Sequence, residues 1–235
     1  MTLRHMVITF RVLLCASALA ATSCAGPDAA SDRIPAAETQ RAVQAATPAG
    51  IPRIVFLGDS LTAGYGLARE QSVPSLIQAR LNSAGHRYEV INAGVSGDTS
   101  AGGLSRLDWS LDGQVDVLVI ELGANDGLRG LPVKELKRNL TEIIARAKRR
   151  GITVILTGME APPNYGAAYT SEFRQVFRDV AREQQVVFVP FYLEGVAGNP
   201  HLNISDGIHP NPAGARIVEQ TIWRALEPVL EKTGR

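Results

Sequence analysis

Val115-Asp116-Val117-Leu118-Val119-Ile120-Glu121-Leu122 runs straight into Gly123-Ala124-Asn125-Asp126, and that junction decides the fold. A short, mostly apolar run that stops at a polar, Gly-containing tip is the pattern of a strand buried on both faces. Working outward, the same pattern recurs upstream in Ile54-Val55-Phe56-Leu57, closed by Gly58, and in Tyr88-Glu89-Val90-Ile91-Asn92, followed by Ala93-Gly94. Downstream it recurs at Ile152 to Leu156 and at Val186 to Val189. Between these runs the apolar period lengthens. Val133, Leu136, Leu140, Ile143, Ile144 and Ala147 recur at helical spacing, with Pro132 suited to the first turn and Gly151 to the C-cap. Phe173, Val176, Phe177, Val180 and Ala181 make a second stripe, while Pro74 to Asn82 and Ala213 to Leu226 supply two more helices. Strands that alternate with helices predict an α/β fold whose parallel sheet is covered on both sides.

Ligands in such folds bind beyond the carboxyl ends of the strands. The polar segments gather there: Gly58-Asp59-Ser60 after the first strand, Asn92-Ala93-Gly94 at the end of the second, and Gly123-Ala124-Asn125-Asp126 after the third. Asp206-Gly207-Ile208-His209-Pro210-Asn211, after the fifth, arrives at the same edge. A serine hydroxyl becomes a nucleophile when a base lies within hydrogen-bond reach and a third group orients that base. It also needs donors aimed at the developing oxyanion. Ser60 fits the first part, and Asp206 with His209 fits the second. The Ser60 N–H, the Gly94 N–H and the Asn125 amide fit the third. Taken singly, Ser60 reads equally as a helix cap, Asp206 to His209 as a surface turn, Gly94 as a turn glycine and Asn125 as a loop cap. Their shared placement makes them one site. His86 and His201 have no matching acid and are expected to be exposed; Asp59 and Asp126 are expected to organise backbone.

These blocks resemble the GDSL, or SGNH, hydrolase superfamily, whose four motifs hold Ser, Gly, Asn and His in that order. The resemblance runs from about residue 51 to residue 230. It implies a flavodoxin-like three-layer α/β/α sandwich with five parallel strands and a Ser60–His209–Asp206 triad. The oxyanion hole would comprise Ser60, Gly94 and Asn125, with no metal or cofactor. Thr62 to Leu67, Gly127 to Gly130 and Pro162 to Gly166 look like the bacterial arylesterase, lysophospholipase and acyl-CoA thioesterase branch. In that branch the segment Met159 to Tyr169 resembles the loop lining the acyl pocket, which nominates Met159, Pro163, Asn164, Tyr165 and Gly166 for substrate contact. The implied activity is cleavage of esters or thioesters. A carbohydrate O-acetylesterase would use the same residues in a different pocket, and a flavin-binding or otherwise inactive module would need neither Ser60 nor His209.

The first two dozen residues are of another kind. Arg4 and Arg11 precede the apolar stretch Val12 to Ala21, too short to span a bilayer, which reads as an export signal over 1–23. Ala18-Leu19-Ala20 suits ordinary cleavage, whereas Ala21-Thr22-Ser23-Cys24 resembles a lipobox whose Cys24 would carry a lipid anchor. The predicted product is periplasmic, either free or membrane-anchored. Residues 25–50, rich in Ala, Pro, Ser and Thr, read as a flexible tether to a domain over 51–235. Cys15 and Cys24 are the only cysteines, so the domain has no disulfide, thiolate metal site or thiol nucleophile. The chain carries 24 Lys and Arg against 23 Asp and Glu. Removing a leader with two Arg and no acid turns its +1 into −1, which gives no electrostatic footprint for nucleic acid. Lys148-Arg149-Arg150 complements the dipole of the helix it ends. The partner that the resemblance implies is a small-molecule ester or a lipid.

Overall fold

The computed structural model describes residues 50–233. The expected export signal, Cys24 and the tether up to residue 49 lie outside the described residues. Five strands form one parallel sheet: β1 (Arg53–Gly58), β2 (Glu89–Gly94), β3 (Val115–Glu121), β4 (Thr153–Thr157) and β5 (Val187–Val189), in the spatial order β2-β1-β3-β4-β5. Ile54 to Leu57 of β1 and Val117 to Ile120 of β3 are fully buried. Each such side chain contributes about 1.5–3 kcal/mol through burial, which makes these two strands the centre of the domain. β2 lies at the sheet edge and leaves Glu89 and Asn92 exposed.

The helices are α1 (Ser60–Ala63), α2 (Val73–Ala84), α3 (Ser100–Ser105), α4 (Leu107–Ser110), α5 (Ala124–Leu128), α6 (Val133–Arg149), α7 (Ala167–Gln184) and α8 (Pro212–Thr233). α6 packs against α3 and α7 in one layer, and α2 packs against α8 in the other, giving the three-layer α/β/α arrangement. Both stripes read from the sequence face inward: all six named positions of α6 and all five of α7 are buried. The chain leaves β1 for β2, then crosses back past β1 to β3. That reversal opens a crevice between the carboxyl ends of β1 and β3, the place where open α/β sheets take ligands.

The structure differs from the sequence reading in two respects. Helices α3 to α5 are additional. α3 has the sequence Ser-Ala-Gly-Gly-Leu-Ser, poor in helix formers; it is held by Thr99, whose side chain accepts the Gly102 N–H at 3.3 Å, and by Gly103, packed against Leu122. α8 continues through Pro228 to Thr233 instead of stopping at Leu226, since Val229 and Leu230 are buried in the core and outweigh one lost backbone bond. The basic residues ending α6 meet carbonyls: Lys148 Nζ donates to Gln184 O at 2.7 Å, and Arg150 donates to Leu111 O.

Candidate active site

Ser60 is the first residue of α1, directly beyond β1. Asp59 caps that helix by accepting the Leu61 N–H at 3.0 Å, and Gly64 ends it at φ +80°. So tight a reversal requires bare glycines at one rung of the sheet, where Gly58 pairs with Gly94. A β-carbon on Gly58 would lie 2.0 Å from Thr62 Oγ1, and one on Gly94 would lie 2.3 Å from Ala63 N. Beneath the turn, buried Glu121 accepts from Thr62 Oγ1 at 2.8 Å, Thr62 N at 3.2 Å and Asp59 N at 3.3 Å, all through Oε2. Burial pushes Asp59 up to about 6, against its hydrogen bonds to Leu61 and Asn125. Burial, then the neighbouring Asp59 charge, raise Glu121 well above its ordinary 4.5, which favours its neutral form.

His209 stands 149 residues from Ser60, on a turn tied at its base by the Asn203–Pro210 bridge and by Ile204 N to His209 O at 2.8 Å. Asn211 caps α8 through Ala213 N and Gly214 N. Inside the turn, Asp206 Oδ1 accepts the Ile208 and His209 N–H groups at 2.9 and 3.0 Å, while Oδ2 meets His209 Nδ1 at 2.6 Å. His209 Nε2 lies 2.8 Å from Ser60 Oγ. Desolvation opposes ionisation of Asp206, but the two backbone donors and the imidazole bring its carboxyl down to about 2. Tyr65, given no role from the sequence, sets its ring 4.7 Å from that of His209; the only signal was an aromatic just past the Gly64 cap. His201 is exposed as expected. His86 is not: it is half-buried, 6.3 Å from the Trp223 ring.

The three expected oxyanion donors differ in what already engages them. The Ser60 N–H has no hydrogen-bond partner among the described residues. Gly94 N donates to Asn92 Oδ1 at 3.0 Å. Asn125 Nδ2 donates to Asp98 O at 2.9 Å and to Asp59 Oδ2 at 3.0 Å, which engages both of its hydrogens. An oxyanion reaches Asn125 only by sharing or replacing one of those acceptors. Asp126 holds backbone, as expected, accepting Ser100 N at 2.8 Å and Ser100 Oγ at 2.6 Å.

A cavity of about 590 Å³ is walled mainly by apolar groups that include Leu128, Met159, Pro163 and Phe191, together with Leu61 and Ile208, the chain neighbours of Ser60 and His209. Met159 and Pro163 were nominated from the sequence. Asn164, Tyr165 and Gly166 fall outside the wall: Tyr165 bonds Leu128 O at 3.0 Å and lies over Gly130, and Gly166 leads into α7 at φ +87°. The wall from Phe191 to Gly198 was missed, because a loop after a three-residue strand carries no periodicity. Among the described residues, no group of three or more His, Cys, Asp or Glu side chains is placed to hold a metal ion.

Residues 56–217 match the model of the GDSL-like Lipase/Acylhydrolase family. The chain belongs to that family. Within it, the chain is similar to an arylesterase of Vibrio mimicus, 44% identical over 74% of this chain and 88% of that protein. It is also similar to thioesterase 1/protease 1/lysophospholipase L1 of Escherichia coli K12, at 34% identity over 75% of this chain and 84% of that one. The crystal structure of TesA superposes with a TM-score of 0.72 at 42% identity, covering 75% of this chain and 98% of that one.

The neutrality of Glu121 has a measurable sign. Unfolded, this carboxyl ionises above its ordinary 4.5; folded, it holds its proton to higher pH, so its contribution to stability falls as pH rises past the unfolded value. Glu121→Gln should match wild type in urea unfolding at about pH 4, below the unfolded value, and exceed it at about pH 8. Glu121→Leu, which orphans the Thr62 and Asp59 donors, should lose roughly 1–3 kcal/mol per buried group at either pH. Parallel pH curves for wild type and Glu121→Gln would show that the folded carboxyl is ionised.

Proposed function

We propose that this chain is an exported serine esterase that cleaves carboxylic esters, and the corresponding thioesters, with apolar acyl groups. The hydrolase class follows from the family. The assignment of roles is carried by the continuous relay from Asp206 through His209 to Ser60, at 2.6 and 2.8 Å. His209 Nε2 takes the Ser60 proton as Oγ bonds to the carbonyl carbon and the carbonyl π pair moves onto oxygen. The Ser60 N–H receives that oxyanion directly. Gly94 N–H and the Asn125 amide join as their present acceptors yield. Collapse expels the alcohol or thiol, which takes its proton from His209, and water then repeats the cycle on the acyl-enzyme. Asp206 stays ionised throughout, since its pKa of about 2 lies far below working pH; it holds the tautomer and stabilises the imidazolium.

Ser60→Ala should abolish turnover of p-nitrophenyl butyrate, and near-wild-type activity would sink the assignment of the nucleophile. Asn125→Ala should lower kcat by roughly 100- to 1,000-fold, the usual cost of an oxyanion donor.

The apolar wall favours an acyl chain over a sugar. Each methylene buried there is worth about 0.8 kcal/mol, so kcat/KM on p-nitrophenyl esters should climb roughly threefold to fourfold per carbon from acetyl until the cavity fills. A profile that peaks at acetyl, together with turnover of an acetylated sugar, would instead select the O-acetylesterase reading.

Export and anchoring rest on the sequence of residues 1–24. Among the described residues, no helix is long and apolar enough to cross a membrane. Mass spectrometry of the mature protein should find Cys24 at the N-terminus carrying acyl groups; a mature chain that begins at Ala21 means ordinary cleavage without an anchor.

A further inference from the structure

Arg106 lies between α3 and α4, and its side chain is only 16% exposed. Nη2 donates to Gly58 O at 2.8 Å and Nη1 to Ala93 O at 2.7 Å. Nε pairs with Asp98 Oδ2 at 2.6 Å, and Nη1 also reaches Ser110 Oγ at 3.3 Å. Each of the first three contacts lies close along the chain to an oxyanion donor or to the group that donor bonds. Gly58 leads through Asp59 to the Ser60 N–H, Ala93 immediately precedes the Gly94 N–H, and the backbone carbonyl of Asp98 accepts the Asn125 amide at 2.9 Å. The donors themselves come from three separate segments: the tips of β1 and β2 and the start of α5. A planar guanidinium with directed N–H groups can hold the tips of β1 and β2 and the Asp98 loop in fixed geometry, and Asp98 O in turn holds the Asn125 amide at the start of α5.

We propose that Arg106 is a positioning residue that sets the mutual spacing of the Ser60, Gly94 and Asn125 donors. This rests on, and deepens, the ester-hydrolase assignment above. Donors act on a developing oxyanion only when they lie about 2.7–3.1 Å from it, and a shift of about 1 Å can cost roughly 100-fold in rate. The Arg106 charge is already paired with Asp98, so its influence on the reaction is geometric, and it should act on the transition state more than on ground-state binding.

Arg106→Lys keeps a cation beside Asp98 but cannot span both the Gly58 and Ala93 carbonyls. On p-nitrophenyl butyrate its kcat should fall about tenfold or more while KM stays within about twofold. Groups that act as a unit are non-additive, so adding Asn125→Ala to Arg106→Lys should cost at least about threefold less than adding it to wild type. A folded Arg106→Lys protein with wild-type kcat overturns the inference. So does a loss confined to KM, or one that multiplies fully with Asn125→Ala. Should Arg106→Lys fail to fold, Asp98→Asn weakens the anchor while keeping an acceptor for Nε, and the same kcat split and non-additivity are required of it. Ser60→Ala, assayed alongside, separates the two levels. If Ser60→Ala is inactive and Arg106→Lys is unimpaired, only the positioning role falls; if Ser60→Ala retains turnover, the parent assignment falls.

Discussion

The backbone of α1 rests on Gly94 with no room for a β-carbon, since one built there would stand 2.3 Å from Ala63 N. Much of the candidate site depends on this contact. Because Gly58 and Gly94 share a rung of the sheet, the chain can leave β1 and fold at once into a helix beside the tip of β2. Ser60 thereby occupies the first turn of a helix, where backbone N–H groups lack intrahelical partners. A glycine at this position also admits close approach of a substrate carbonyl. The structure supplies an earlier reason: the approach that excludes a side chain is that of the protein's own backbone.

The same turn explains the buried carboxyls. Four residues of helix cannot satisfy their own leading N–H groups, and water cannot reach them beneath the turn. Glu121 rises from β3 to accept two of these N–H groups and the Thr62 hydroxyl, and Asp59 accepts a third N–H. Holding a carboxyl in such a place is costly if it is charged and tolerable if it is neutral, which fits the upward displacement of both groups. Asp206 experiences the reverse. It sits on an exposed turn with two backbone donors and an imidazole, and is stabilised as an anion. Three acidic side chains near one serine thus divide into two that shape backbone and one that faces the base.

What could be read in advance follows from periodicity and local spacing. The stripes of α6 and α7 and the runs of β1 and β3 repeat with the period of the element they form, so they were legible as helix and strand. Asp206 and His209 were legible as a pair because a three-residue turn fixes their separation. The short helices α3 to α5 were not, since their stability comes from caps and from packing on distant residues such as Leu122. The prior commitments of the Gly94 and Asn125 donors, the wall from Phe191 to Gly198 and the reach of Arg106 depend on residues brought together only by the fold. Asn164, Tyr165 and Gly166 show the converse: proximity in sequence to Met159 and Pro163 placed them near the cavity but not in its wall.

Gly50 lies just ahead of the amino end of β1, whereas Ser60 follows its carboxyl end. Six residues of extended chain separate the two edges of the sheet by roughly 20 Å. A group coupled at Gly50 itself would therefore sit at the edge of the sheet away from Ser60.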